Sequence, residues 1–158
     1  MAGTIKWQEG SPITLTTTGA SLTTGSAGQA ATLDCRSGGT AGAIDALVAQ
    51  FSLSAAVAAN TGIVAGTTCA DLYLIPAIDG SSYPDFDTTA GSSYIPYPMR
   101  VGSFVFARVP TAGSALLLQS GSVELLPYLY NVYIINRSGQ TINANWTMKV
   151  AATAVQYT

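Results

Sequence analysis

The chain of 158 residues contains no histidine. That removes the commonest general base, the commonest zinc ligand and every Ser–His or Cys–His nucleophile pair. Charge is the second shortage. Charged residues make up 9% of the chain, against roughly a quarter in ordinary domains, and the six Lys and Arg are scattered. Binding to phosphates needs several converging cations, so no nucleic-acid partner is expected. Cysteine is scarce as well. Cys35 and Cys69 are too few for a structural zinc site, and they are expected as small, buried, reduced thiols; a disulfide would need the fold to bring them together. The only glutamates are Glu9 and Glu124, and nothing ties either to an aspartate in the paired arrangement of a glycosidase. The glycines lie in Ser/Thr/Ala stretches and form no phosphate loop with a lysine. These shortages predict a protein that is not an enzyme and holds no cofactor or metal.

Long apolar runs are missing too. None approaches the roughly eighteen residues of a membrane helix, so no membrane partner is expected. Residues 1–6 lack the basic region and apolar core of a secretory signal, and synthesis and folding in a cytoplasm are expected. The sequons Asn136-Arg137-Ser138 and Asn145-Trp146-Thr147 are then accidental.

What is present is β-forming sequence. The chain is 48% hydrophobic, enough for one domain with a sizeable core, and Ser, Thr, Gly, Asn and Gln supply the polar surface. A surface so weakly charged has little self-repulsion and associates readily, which suits a subunit packed among others. Residues 45–55 place Leu47, Ala49, Phe51 and Leu53 on one face and Val48, Gln50, Ser52 and Ser54 on the other. That period of two favours a strand over the helix which the alanines of 43–59 would allow. Strands are also expected at 13–18, 30–35, 69–78, 100–109 and 115–119. Residues 94–98 carry two prolines and read as an edge or crossing segment.

The stretch 125–157 is the organising one. Residues 128–136 are apolar on both faces, with Tyr130, Val132 and Ile134 on one side and Leu129, Tyr133 and Ile135 on the other. Such a strand lies mid-sheet, or presents one face to a partner. Trp146, Met148 and Val150 alternate with Asn145, Thr147 and Lys149. Residues 137–140 supply turn chemistry between the two runs, and a central hairpin is predicted. The whole pattern predicts an all-β, antiparallel two-sheet β-sandwich of about eight strands, a jelly roll, occupying residues 13–158. Residues 1–12 form an N-terminal arm or edge strand. Either Ile5 and Trp7 cross to a neighbouring subunit, where burial is worth roughly 1.5–3 kcal/mol each, or residues 4–7 pair with the chain's own sheet.

Two further clusters invite functional readings. Asp79, Asp85 and Asp87 offer oxygen ligands that suit calcium, but their spacing is not that of a calcium loop; a turn at Asp79-Gly80 and capping of backbone amides is the favoured account. Tyr73, Tyr83, Phe86, Tyr94 and Tyr97 lie in or beside the same long loop. Their rings suit subunit contacts or stacking on sugars, so carbohydrate is a possible partner. The interface candidates are therefore Ile5, Trp7, Tyr83, Tyr94, Tyr97, Tyr130 and Tyr133.

Three stretches carry a family resemblance. Residues 72–85, a strand followed by Asp-Gly-Ser-x-Tyr-x-Asp, resemble small virion proteins of tailed bacteriophages. So do Asn136-Arg137-Ser138-Gly139-Gln140 with its Ala-rich last strand, and the opening Gly19-Ala20-Ser21-Leu22-Thr23-Thr24-Gly25. The resemblance implies a jelly-roll capsid cement or decoration protein. Such a protein sits on the capsid exterior, clamps subunits of the major capsid protein and forms dimers or trimers. A tail or head-fibre component of the same virion is the neighbouring reading. The family carries no catalytic or cofactor residues over to this chain.

Overall fold

Ten strands build the fold, a computed structural model that describes residues 5–9, 11–36, 46–84 and 99–157. In chain order they are β1 (Ile5–Glu9), β2 (Ile13–Gly19), β3 (Ala27–Asp34), β4 (Ala46–Ala55), β5 (Thr68–Ala77), β6 (Arg100–Val105), β7 (Leu116–Gln119), β8 (Val123–Glu124), β9 (Leu129–Asn136) and β10 (Trp146–Tyr157). Among the described residues there is no α-helix. One sheet runs β1-β10-β4-β7, with β2 also on β10 and β8 also on β4; the other runs β3-β9-β5-β6. All pairings are antiparallel.

The order is that of a jelly roll. The strands pair as nested couples, β2 with β10, β3 with β9, β4 with β7 and β5 with β6. This is one long hairpin folded over so that alternate couples fall in opposite sheets. The eight expected strands are those eight; β1 and the two-residue β8 bring the count to ten. The sheets meet through the alternating apolar residues. Phe51 and Leu53 of β4 and Met148 and Val150 of β10 are buried against Leu72 and Leu74 of β5 and Val132 and Ile134 of β9. The fully buried Trp146 lies at one end of this layer, its indole nitrogen donating to the Ala20 carbonyl at 2.7 Å. Two glycines make room for its ring. A Cβ on Gly19 would run into the indole, and one on Gly28 of the facing sheet would lie 2.9 Å from it, closer than a carbon contact tolerates.

The expected hairpin between the last two long strands is corrected. β9 pairs with β3 and β5, and β10 with β1, β2 and β4. Each is central, in opposite sheets. Both are strands, as the sequence predicts, and each uses both of its edges on neighbours in its own sheet, so neither has an edge left for the other. Residues 137–145 cross between the sheets instead. Asn136, fully buried, shapes the departure: its amide nitrogen donates to the carbonyls of Leu22 and Gln140 at 2.8 and 2.7 Å, and its oxygen accepts from the Ser138 amide and hydroxyl at 2.9 and 2.8 Å. Ile142, also fully buried, then exchanges both backbone hydrogen bonds with Leu22 at 2.9 Å. Thr141 and Asn143 bond Ala58 and Ala56 on the other side, at 2.8 Å each.

At the N-terminus the edge-strand alternative is the one observed. β1 pairs with β10 from Ile5↔Tyr157 to Glu9↔Thr153, within the same chain. β10 is long enough to carry β2 along one half and β1 along the other.

Two predictions follow from the core. Asn136→Ala strands two carbonyls and two donors and is expected to destabilise the fold by about 2–4 kcal/mol. Asn143→Ala, which keeps the backbone bond to Ala56, should stay within about 0.5 kcal/mol; urea unfolding followed by Trp146 fluorescence reads both. Cys35 and Cys69 are free and buried, and burial pushes their thiols up to about 11 and about 12. Neither should react with a thiol reagent at pH 8 until denaturant is added, when two equivalents appear.

Candidate functional site

The sandwich has two outer faces, and they differ. On the four-stranded sheet, Tyr73 and Ile75 of β5 and Tyr133 and Ile135 of β9 point away from the inter-sheet layer yet are buried, with half-buried Ala27, Tyr83 and Met99 packed against them. Burial raises the phenol pKa of Tyr73 and of Tyr133. Beside this apolar cluster, Asp71 is 7% exposed and sits between two guanidinium groups. One oxygen accepts from Arg100 Nε and the Ser103 hydroxyl at 2.9 Å each, the other from Arg137 Nε at 2.9 Å; Arg100 also bonds Ser103. One carboxylate thereby ties β5, β6 and the end of β9 together. Because both arginines stay about one-third exposed, water screens the pairs and their worth lies nearer a surface bridge than a buried one.

The turn after β5 is ordered by Asp79. Its Oδ1 accepts from the Ser81 and Ser82 amides at 2.9 and 2.6 Å, and those amides hold the carboxyl down at about 2. Gly80 follows with φ +83°, the left-handed conformation such a turn requires. Arg36 reaches over to the Gly80 carbonyl at 3.0 Å while paired with Asp34 at 2.7 Å. The Arg36 side chain and amide hold Asp34 at about 2 as well. Both carboxyls are depressed, so what they contribute is present above the ordinary aspartate range and is lost as pH falls toward 2. Next to this turn lies an open recess of about 400 Å³ lined by Pro76, Ile78, Asp79, Ser82, Tyr83 and Pro84. Among the described residues no group of three or more possible ligands could hold a metal; Asp85 and Asp87 lie outside the described residues.

The interface candidates separate. Tyr83 is half-buried, between the apolar cluster and the recess. Tyr133 is buried in that cluster. Tyr130 belongs to the inter-sheet core, where its hydroxyl donates to the Leu126 carbonyl at 3.1 Å and accepts from the Leu126 amide at 3.0 Å, so its ring is shut off from any partner. Ile5 and Trp7 have their backbones on the edge strand β1, and nothing is described of their side chains. Tyr94 and Tyr97 lie outside the described residues. The sequon at Asn136 is closed to modification, since its amide is fully buried and bonded twice.

The outer face of the six-stranded sheet was not singled out from the sequence, although the alternation of β4 and β10 contained it. At its centre Lys149 lies opposite Ser52 and Ala151 opposite Gln50, with Gln119 beside Ser52. Ser52 and Ala151 are partly covered, while Gln50, Gln119 and Lys149 are exposed. Leu117, at the margin, is 69% exposed. Lys149 and Glu124 are exposed charges on this face, and the register of β1 adds Glu9 in the row of Val48 and Glu124. Near its centre lies a recess of about 250 Å³ lined by Pro12, Gln50, Phe51, Ser52, Gln119, Lys149 and Ala151.

Among the described residues no helix is long and apolar enough to cross a membrane. No protein family, curated protein or solved structure matches the chain.

Proposed function

We propose that this protein is a structural subunit of a bacteriophage virion. In this reading it is a cement or decoration protein, made in the host cytoplasm, that binds the major capsid protein on the outside of the shell and also associates with itself. The observation that carries the reading is the open face of the six-stranded sheet, where Ser, Thr, Gln and Ala side chains stand in place of the charges that normally keep a solvent-facing sheet apart from others. Burying such a face costs little desolvation, because hydroxyls and amides can be paired again across a contact and few ions must be stripped of water. A specific contact of ordinary size buries roughly 1,200–2,000 Å². The protein contributes no reaction; its work is binding energy added across joints between shell subunits.

The test is location. In purified particles the protein is expected in fixed stoichiometry with the major capsid protein, and in an electron-microscopy map on the outer surface of the shell. Its absence from particles would end the reading, and density on the tail or a head fibre would move it to those structures.

The recess beside Tyr83 favours a second reading, a carbohydrate-binding module. A half-exposed tyrosine flanked by Pro76, Pro84 and Ile78, with the Asp79 carboxylate at hand, offers an apolar platform and an acceptor of the kind sugars use. On a glycan array the cement reading predicts no signal; the sugar reading predicts binding abolished by Tyr83→Ala.

A further inference from the structure

We infer that the open edge of β7 is a strand-addition site. It takes an extended, uncharged segment of a partner polypeptide as a further strand of the six-stranded sheet, with one apolar side chain of that segment seated between the edges of the two sheets. The backbone pattern comes first. The Ser120 amide donates to the Phe51 carbonyl at 2.8 Å, and the Phe51 amide to the Ser120 hydroxyl at 3.0 Å. Bonded and non-bonded pairs alternate along an antiparallel ladder, so Leu53↔Leu118 and Ala55↔Leu116 are the bonded pairs of β4 and β7. Leu117 and Gln119 fall between them, and their N–H and C=O groups turn away from β4. Among the described residues no strand pairs with that side of β7. Two donors and two acceptors repeating every second residue match the backbone of an extended chain.

The other edges are protected. β1 carries Lys6 and Glu9, and β8 ends in Glu124. β2, β3 and β6 are interrupted by register shifts, which spoil an edge for a newcomer. β7 keeps an unbroken register with β4, and residues 115–122 hold no charge and no proline. Its Leu117 is 69% exposed.

Four residues give only two outward-bonding positions, so backbone pairing alone is a weak hold and a side chain must add to it. The two sheets approach each other at this flank, where a Cβ on Gly102 of β6 would lie 3.8 Å from that of Ser120. Beside this approach is a recess of about 450 Å³ lined by Val105, Ala107, Leu117, Leu118 and Gln119. Leu118 is buried toward the facing sheet. A side chain placed opposite it on an added strand turns the same way, toward Val105 and Ala107. No lining residue is charged, so a charged side chain there would lose water without gaining a partner; an apolar one gains by burial. The residues opposite Leu117 and Gln119 face solvent. The partner segment is therefore polar and uncharged at alternate positions, with an apolar residue between them. The inference does not rest on the virion reading, because it is tested on the isolated chain with synthetic peptides.

Capped heptapeptides Thr-Val-Thr-Z-Thr-Val-Thr, with Z as Ala, Val, Leu or Lys, are titrated into the intact, isotopically labelled protein. The backbone amide resonances of Val105, Ala107, Leu117 and Gln119 are expected to shift together. Val or Leu at Z should bind about threefold or more tighter than Ala or Lys. N-methylation of the two Thr beside Z removes the donors to the Leu117 and Gln119 carbonyls and should weaken binding about tenfold or more. In the protein, Gln119→Pro removes one outward N–H and no bond to β4, and Leu117→Lys sets a charge on the edge. Each should abolish the shifts. Leu117→Lys, at an exposed position, should keep the melting temperature and serves alone if Gln119→Pro does not fold. No shift with any peptide, shifts at another edge, indifference to N-methylation or to Z, or pairing of β7 with a second copy in place of peptide would each overturn the inference.

Discussion

The crossing of residues 137–145 from one sheet to the other is the constraint on which the rest of the structure depends. A jelly roll is a folded hairpin, and at this crossing its last long strand must leave one layer and enter the other with its polar backbone intact. The chain solves this with side-chain amide chemistry. Asn136 satisfies two carbonyls and two donors at the end of β9, and Ile142 places an apolar side chain in the core while its backbone pairs with Leu22. No described buried side-chain polar atom is left without a partner, which is the condition for bringing so much irregular backbone inside. With the crossing fixed, β10 can lie between β2 and β4 and bring Trp146, Met148 and Val150 onto the facing sheet.

Scarce charge is distributed with a bias. The described acids of the four-stranded sheet and its turns are all engaged: Asp71 with two arginines, Asp34 with Arg36, Asp79 with two backbone amides. These groups fasten strand ends and turns, where no ladder of backbone bonds does the work. The strands of the opposite sheet carry Lys6, Glu9, Glu124 and Lys149, and no described ion pair fastens that sheet.

How far the sequence foretold this depends on the periodicity of each segment. β4 and β10 alternate cleanly, so their existence, direction of burial and polar outer faces were all legible in residues 46–55 and 146–152. β9 is apolar on both faces and was read as central, and it is: Val132 and Ile134 enter the inter-sheet core, Tyr133 and Ile135 the second cluster. The pairing was not legible. Turn residues at 137–140 signal a reversal, and a reversal within a sheet and one between sheets use the same Ser, Gly and Asn. Only the burial of Ile142, which needs long-range partners, tells them apart. The glycines at 19 and 28 read as loop texture, and their role emerges only with the indole of Trp146 above them. Tyr130 was a candidate for a surface role because tyrosine is amphipathic; the backbone of Leu126, four residues away, captures its hydroxyl and allows the ring inside.

The contrast between the outer faces also bears on which residues a functional reading should weigh. Aromatic side chains drew attention in the sequence because they dominate contacts between proteins. In the fold most of those described are engaged at home: Tyr73 and Tyr133 in the second cluster, Tyr130 in the first. The surface left over is built from side chains that carry no signature individually. Gln50, Ser52, Gln119 and Lys149 are ordinary strand residues, and they stand together around one recess of the six-stranded sheet. A contact made from such residues draws its specificity from shape, from register and from a few opposed charges rather than from an aromatic anchor. In a protein with so few charges, each unpaired one constrains which surfaces can meet and in what orientation.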